Sequence, residues 1–142
     1  MEKFKFKYPP ILVGGKAMEF YGLRKTGHDI DYIVSKYDYE RLSKIEAPNP
    51  WMPEQTPGIT YRGGKMDVDY FLNLYQYDYN YLKKNAIKNK KILVISKEDL
   101  ILVKAMTAFD KKNKRIGKMT VKKNLKDISL LVNSLSKDKY DF

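Results

Sequence analysis

The sequence predicts an α/β (α+β) chain in one domain, with strands and helices interleaved along it. Three observations predict this. The apolar run Ile11-Leu12-Val13 breaks at Gly14-Gly15 into a helical spacing, two strand-like runs flank Gly63-Gly64, and the last third of the chain has a helical apolar period. A chain of 142 residues with 43% apolar and 13% aromatic content is long enough for a packed core and too apolar for disorder. The expectation is a single domain over residues 1–142, with a sheet core over 1–95 and a helical part over 96–142.

From Met1 to Tyr8, Phe4, Phe6 and Tyr8 alternate with Lys3, Lys5 and Lys7, the pattern of an edge strand or arm, closed by Pro9-Pro10. Ile11 to Val13 predicts a strand and Gly14-Gly15 a turn. The helix that follows has its apolar residues at Ala17, Phe20 and Tyr21 and ends at Gly22. Asp29 to Val34 mixes β-branched and aromatic residues in a strand whose two aspartates, Asp29 and Asp31, lie on one side. Tyr37 to Glu46 predicts a short helix. Four prolines between Ala47 and Gly58 make a loop that carries the one tryptophan, Trp51, and such a loop suits the cover of a site.

Ile59 to Arg62 and Met66 to Leu72 are the strongest hairpin signal, and the second strand carries Asp67 and Asp69. Tyr75, Tyr77, Tyr79 and Tyr81 have a strand period, but the residues after them favour a helix, and helix is the reading adopted. Lys91 to Ile95 predicts a strand, and Ser96 with Asp99 predicts the start of a helix running to about Phe109. Val121, Leu125, Ile128, Val132 and Leu135 trace one face of a terminal amphipathic helix.

Composition narrows the chemistry. No window approaches the roughly 18 to 20 apolar residues of a membrane span, and the first ten residues lack a signal peptide's apolar region, so a cytoplasmic location away from membranes is expected. Without cysteine there is no thiolate chemistry, and one histidine, His28, cannot make a site that needs two imidazoles. Carboxylates must therefore hold any metal. The formal charge of +11 favours nucleic acid as a partner, a lysine-rich solvated surface being the bland alternative. Lys111 to Lys123, with seven basic residues and no acid, is the best candidate for RNA contact.

Two carboxylates at i and i+2 on a strand stand about 6 to 7 Å apart at the backbone, so their side chains can converge on a hard cation such as Mg²⁺. Asp29 and Asp31 do this within an apolar strand. A third carboxylate from a neighbouring strand, Asp67 or Asp69, would let two ions clamp a phosphoryl substitution. Those two face the same way, and the spacing does not choose between them. Gly14-Gly15 opening a helix lets backbone N–H groups approach phosphate oxygens, with Lys16 as an added charge, although neither phosphate-binding glycine fingerprint is present. Lys104 is the one charged residue between Leu100 and Phe109. Either it meets an anion such as triphosphate or it snorkels to solvent.

Gly14-Gly15 after an apolar strand, then Arg24-x-Thr26, Asp29-Ile30-Asp31 and a further Asp at 67 or 69 resemble the motifs of the nucleotidyltransferase superfamily related to DNA polymerase β. Ile92 to Lys104 and Lys126-Asp127-Ile128 resemble the C-terminal half of small bacterial members, including the nucleotidyltransferase-type toxins of abortive-infection systems. The resemblance spans Ile11 to about Leu135. It implies a small mixed β-sheet flanked by helices, a nucleotidyltransferase fold with C-terminal helices.

It also implies NTP-dependent transfer of a nucleoside monophosphate to a hydroxyl acceptor. Asp29, Asp31 and Asp69 or Asp67 would bind two Mg²⁺, and Gly14, Gly15, Lys16, Arg24, Thr26 and Lys104 would bind the nucleotide. Lys16 departs from the Ser or Thr common at its position, so it brings no hydroxyl to the phosphate. With the charge, the first acceptor expected is RNA, such as a tRNA end. The alternatives are a small molecule such as an antibiotic, a protein partner, or a silent module that binds RNA or an antitoxin or toxin partner.

Overall fold

The computed structural model of the chain describes residues 4–110 and 118–140. Residues 111–117, the greater part of the basic stretch singled out for RNA contact, lie outside the described residues. The fold is mixed α+β, and the chain divides into two compact units, Met1–Ser96 and Lys97–Phe142.

The first unit begins with β1 (Ile11–Val13), α1 (Gly14–Phe20), β2 (Ile30–Ile33) and α2 (Lys36–Ser43). β3 (Gly58–Tyr61) and β4 (Val68–Phe71) follow, then a ribbon of β5 (Asn73–Leu74) and β6 (Tyr77–Asp78). It closes with α3 (Tyr79–Lys83), β7 (Ile87–Asn89) and β8 (Ile92–Val94). Six strands form one sheet in the order β3-β4-β2-β1-β8-β7. β2 runs parallel to β4 and β1 parallel to β8, and the other neighbours are antiparallel.

β1 lies inside the sheet, and its three apolar residues are all buried, which is why it reads as an unbroken apolar run. α1 ends as expected. Gly22 takes φ +70°, its N–H donates to the Glu19 carbonyl at 2.9 Å, and the Leu23 N–H reaches back to Met18 at 3.1 Å. That doubly bonded turn requires a left-handed residue, for which glycine has no Cβ penalty.

α2 starts at Ser35, whose hydroxyl accepts the Asp38 N–H at 3.1 Å. Asp38 is fully buried, and its carboxylate accepts the N–H groups of Lys7 and Tyr8 at 3.0 Å each and the Arg41 guanidinium at 2.7 Å. The N-terminal segment is therefore an arm pinned by a carboxylate, without strand pairing in residues 4–8. Its Phe4 and Phe6 pack on the cluster of Val34, Tyr39, Leu42, Ile59 and Tyr70.

The tyrosine row departs from the helical expectation. Tyr75 sits at φ +59° in the turn of the β5–β6 ribbon, and helix begins only at Tyr79. Tyr77 and Tyr79 are buried, the latter donating its hydroxyl to the Pro9 carbonyl at 2.7 Å, so these two rings serve packing. β7 lacks an apolar period of its own and becomes a strand by pairing with β8.

The second unit holds α4 (Lys97–Ala108) and α5 (Lys118–Tyr140), which pack on each other. The apolar face expected on α5 is displaced. Asn124, Asp127 and Leu131 are buried, whereas Leu125 and Val132 are 43% and 47% exposed. The reason is a buried ion pair between Lys104 and Asp127 at 2.9 Å, which Asp127 makes only from the inward face. No helix among the described residues is long and apolar enough to cross a membrane.

Candidate functional site

The sheet register brings carboxylates from distant parts of the chain together. Asp31 on β2 stands opposite Asp69 on β4 and, on its other side, opposite Val13 at the end of β1. In-register neighbours project to the same face, so the two carboxylates are side by side. Their strand neighbours point the other way: Tyr32 and Tyr70 stack on the opposite face with ring centroids 5.9 Å apart. Alternation along each strand thus gives the sheet one aromatic face and one acidic one.

The β1–α1 turn closes on Asp31. Gly14 has φ +66°, and a Cβ there would lie 2.6 Å from Asp31 Oδ2. Both its dihedral and its space call for glycine. A Cβ on Gly15 would lie 2.3 Å from the Thr26 hydroxyl and 3.7 Å from Arg24 Nη1. Gly14, Gly15, Arg24, Thr26 and Asp31 therefore form one neighbourhood. Gly14→Ala is expected to cost about 1 to 2 kcal/mol through its positive φ alone and to displace the Asp31 carboxylate. A lowered thermal midpoint with weakened divalent-cation binding checks this; an unchanged protein refutes it.

Asp69 is held from its other flank. Thr60 pairs with it across the β3–β4 ladder, and the Thr60 and Asp31 side chains both favour its charged form. Asn49 donates its amide to the Thr60 hydroxyl at 2.8 Å, leaving that hydroxyl's proton for Asp69. Burial pushes the Asp69 carboxyl up from its ordinary value. The Asp29 and Asp67 charges add to this rise, while the contacts with Thr60 and Asp31 oppose it. Its Oδ1 is buried without a hydrogen-bond partner.

Asn49 and Thr60 had no signal in the sequence beyond a loop and a strand. Their placement depends on the β3–β4 register.

The remaining expected residues are placed less centrally. Asp29 and Asp67 are exposed, immediately before β2 and β4, and Asp67 lies 3.9 Å from the Arg62 guanidinium. Lys16 pairs along its own helix with Glu19 at 3.3 Å. Lys104 is a correction to the expected phosphate contact: the anion that meets its buried ammonium is Asp127, within the helical unit.

The donor set suits Mg²⁺. Two carboxylates side by side on neighbouring strands repel each other unless a proton or a cation lies between them, and an orphaned buried oxygen adds a free ligand position. Among the described residues, no three acidic, histidine or cysteine side chains already form a metal cage. Mg²⁺ does not require one, because it binds through one or two carboxylates and completes its octahedron with phosphate oxygens and water. Comparison with known proteins finds no matching family model, no matching curated protein and no matching solved structure.

Proposed function

We propose that this chain is a Mg²⁺-dependent nucleotidyltransferase of the DNA polymerase β-like superfamily, moving a nucleoside monophosphate from an NTP to a hydroxyl acceptor, with RNA the first candidate. The observation that carries this reading is the in-register pair Asp31 and Asp69, with an orphaned buried oxygen on Asp69 and Gly14 closed over Asp31.

Asp31 and Asp69 would hold the metal, with Asp29 as the next carboxylate in reach of the same charge field. When bound, Mg²⁺ neutralises triphosphate charge and steadies the departing pyrophosphate. The missing Cβ atoms of Gly14 and Gly15 let the Asp31 carboxylate and the Thr26 hydroxyl lie against the start of α1, and the Arg24 guanidinium and Thr26 hydroxyl beside Gly15 would bind triphosphate oxygens. The Asp69 carboxylate would take the proton of the acceptor hydroxyl. The acceptor oxygen would then form its bond to the α-phosphorus as the bond from phosphorus to the pyrophosphate oxygen breaks. A carboxyl whose proton affinity is raised by burial is a better base for this step than an ordinary aspartate.

Incubation with α-labelled NTPs, Mg²⁺ and total RNA tests the reading. Label is expected in RNA with wild-type protein and not with Asp31→Asn. No transfer to any acceptor, or equal transfer by the variant, overturns it.

A further inference from the structure

A cleft of about 1520 Å³ opens on the face of the sheet opposite Asp31 and Asp69, with Ile30, Val68 and Tyr70 in its floor. Lys5, Arg41 and Lys65 stand around it, and among the described residues no lining residue is acidic. Arg41 is already neutralised in part by Asp38, so the cleft's unbalanced charge comes from the exposed Lys5 and Lys65.

A second cleft of about 510 Å³ adjoins it, sharing Tyr61 and Gly63 and adding Trp51, Thr60 and Arg62. Glu46 is the one carboxylate in that lining among the described residues. A Cβ on Gly63 would lie 2.5 Å from the Tyr61 hydroxyl and 2.7 Å from its ring, so the end of the hairpin runs closely over this tyrosine, between the two clefts.

Trp51 is 80% exposed, an unusual position for the largest apolar side chain. Its loop is not loosely attached. The Trp51 N–H donates to Asn49 Oδ1 at 2.9 Å, the Asn49 N–H to the Gly58 carbonyl at 2.8 Å, and the Asn49 amide to Thr60. The backbone is thus fixed while the indole is presented to solvent, the arrangement of a stacking platform.

We propose that the two clefts form a continuous track for a single-stranded polynucleotide, with one base on Trp51 and phosphates at Lys5 and Lys65. A cleft whose described charges are cationic favours a polyanion. Exposed aromatic faces select unpaired bases, which a duplex keeps inside its stack and an acidic peptide lacks. Thr60 belongs both to the second cleft and to the support of Asp69, so a strand on Trp51 has an end near the carboxylates. In this last point alone the inference rests on the nucleotidyl transfer proposed above.

Trp51 is the chain's one tryptophan, so its fluorescence reports this position alone. The full chain is titrated with unstructured ten-nucleotide RNA and DNA, and with a duplex of the same sequence, without NTP or Mg²⁺. Saturable quenching by single strands and little by duplex is expected, and the ratio of the RNA and DNA affinities shows which strand the track prefers.

Each lysine–phosphate contact contributes about −0.7 to the slope of log affinity against log salt, so Lys5→Gln with Lys65→Gln should flatten it by about 1.4. Trp51→Leu, followed by anisotropy of labelled oligonucleotide, should weaken binding on the order of tenfold. These three side chains are exposed, and an unchanged thermal midpoint verifies that the variants fold.

Absent quenching, equal binding of duplex, or variants that bind like wild type overturn the track. Intact transfer with such insensitive binding overturns the track and leaves the enzyme reading standing. Intact binding without transfer does the reverse.

Discussion

Asp69→Asn is expected to lower nucleotidyl transfer by about a thousandfold or more, because several kcal/mol of transition-state stabilisation pass through the ligands of a catalytic metal. It should at the same time make the cation-free protein more stable at neutral pH. Burial and the Asp29 charge raise the folded-state proton affinity of Asp69 above that of an unfolded aspartate. A group raised in this way favours the fold while protonated, below its ordinary value of 3.8, and loses that contribution as pH rises through the folded value.

At pH 7 the ionised Asp69 is therefore a liability, which the amide removes. The gain in thermal midpoint over wild type should be present at pH 7 and vanish toward pH 3. Mg²⁺ should reverse the order: at ten times its Kd it stabilises wild type by about 1.4 kcal/mol, a rise of about 5 °C, and the variant by much less. Thermal melts across pH with and without Mg²⁺ read all three effects. Undiminished transfer, or equal Mg²⁺ shifts in the two proteins, would remove Asp69 from the metal site.

Asp127→Ala carries the largest expected loss of stability. It leaves the Lys104 ammonium, 7% exposed, without the carboxylate that faces it at 2.9 Å. Breaking a buried pair from one side costs about 3 to 5 kcal/mol, whereas replacing both members with apolar residues of similar volume is often neutral. The single variant should melt more than about 10 °C below wild type, and Lys104→Met with Asp127→Leu should recover most of that difference. If added pyrophosphate or NTP restored the single variant selectively, Lys104 would return to the phosphate-binding role expected from its lone charge in an apolar run. If the single variant melted with wild type, the ion pair would have no structural weight.

The sequence by itself determined the mixed α+β class and most of the elements, because their signals are local. An apolar run stops at two glycines, a glycine at φ +70° ends α1, and period-two alternation marks β2 and β4. The same alternation put the aspartates of each strand on one face.

What the sequence did not determine was which carboxylates meet. A two-residue turn at Gly63-Gly64 would set Thr60 opposite Asp67. In the fold the connection runs over residues 62–67, and Thr60 stands opposite Asp69, which thereby reaches Asp31. The facing side of α5 was hidden for a similar reason. Leu125 and Val132 satisfy a helical apolar period, yet Asp127 is turned inward because a buried lysine on another helix needs its charge.

In each case the local pattern allows more than one partner at nearly equal cost. Tertiary structure selects among them, since strand register and the pairing of buried charge depend on residues dozens of positions away.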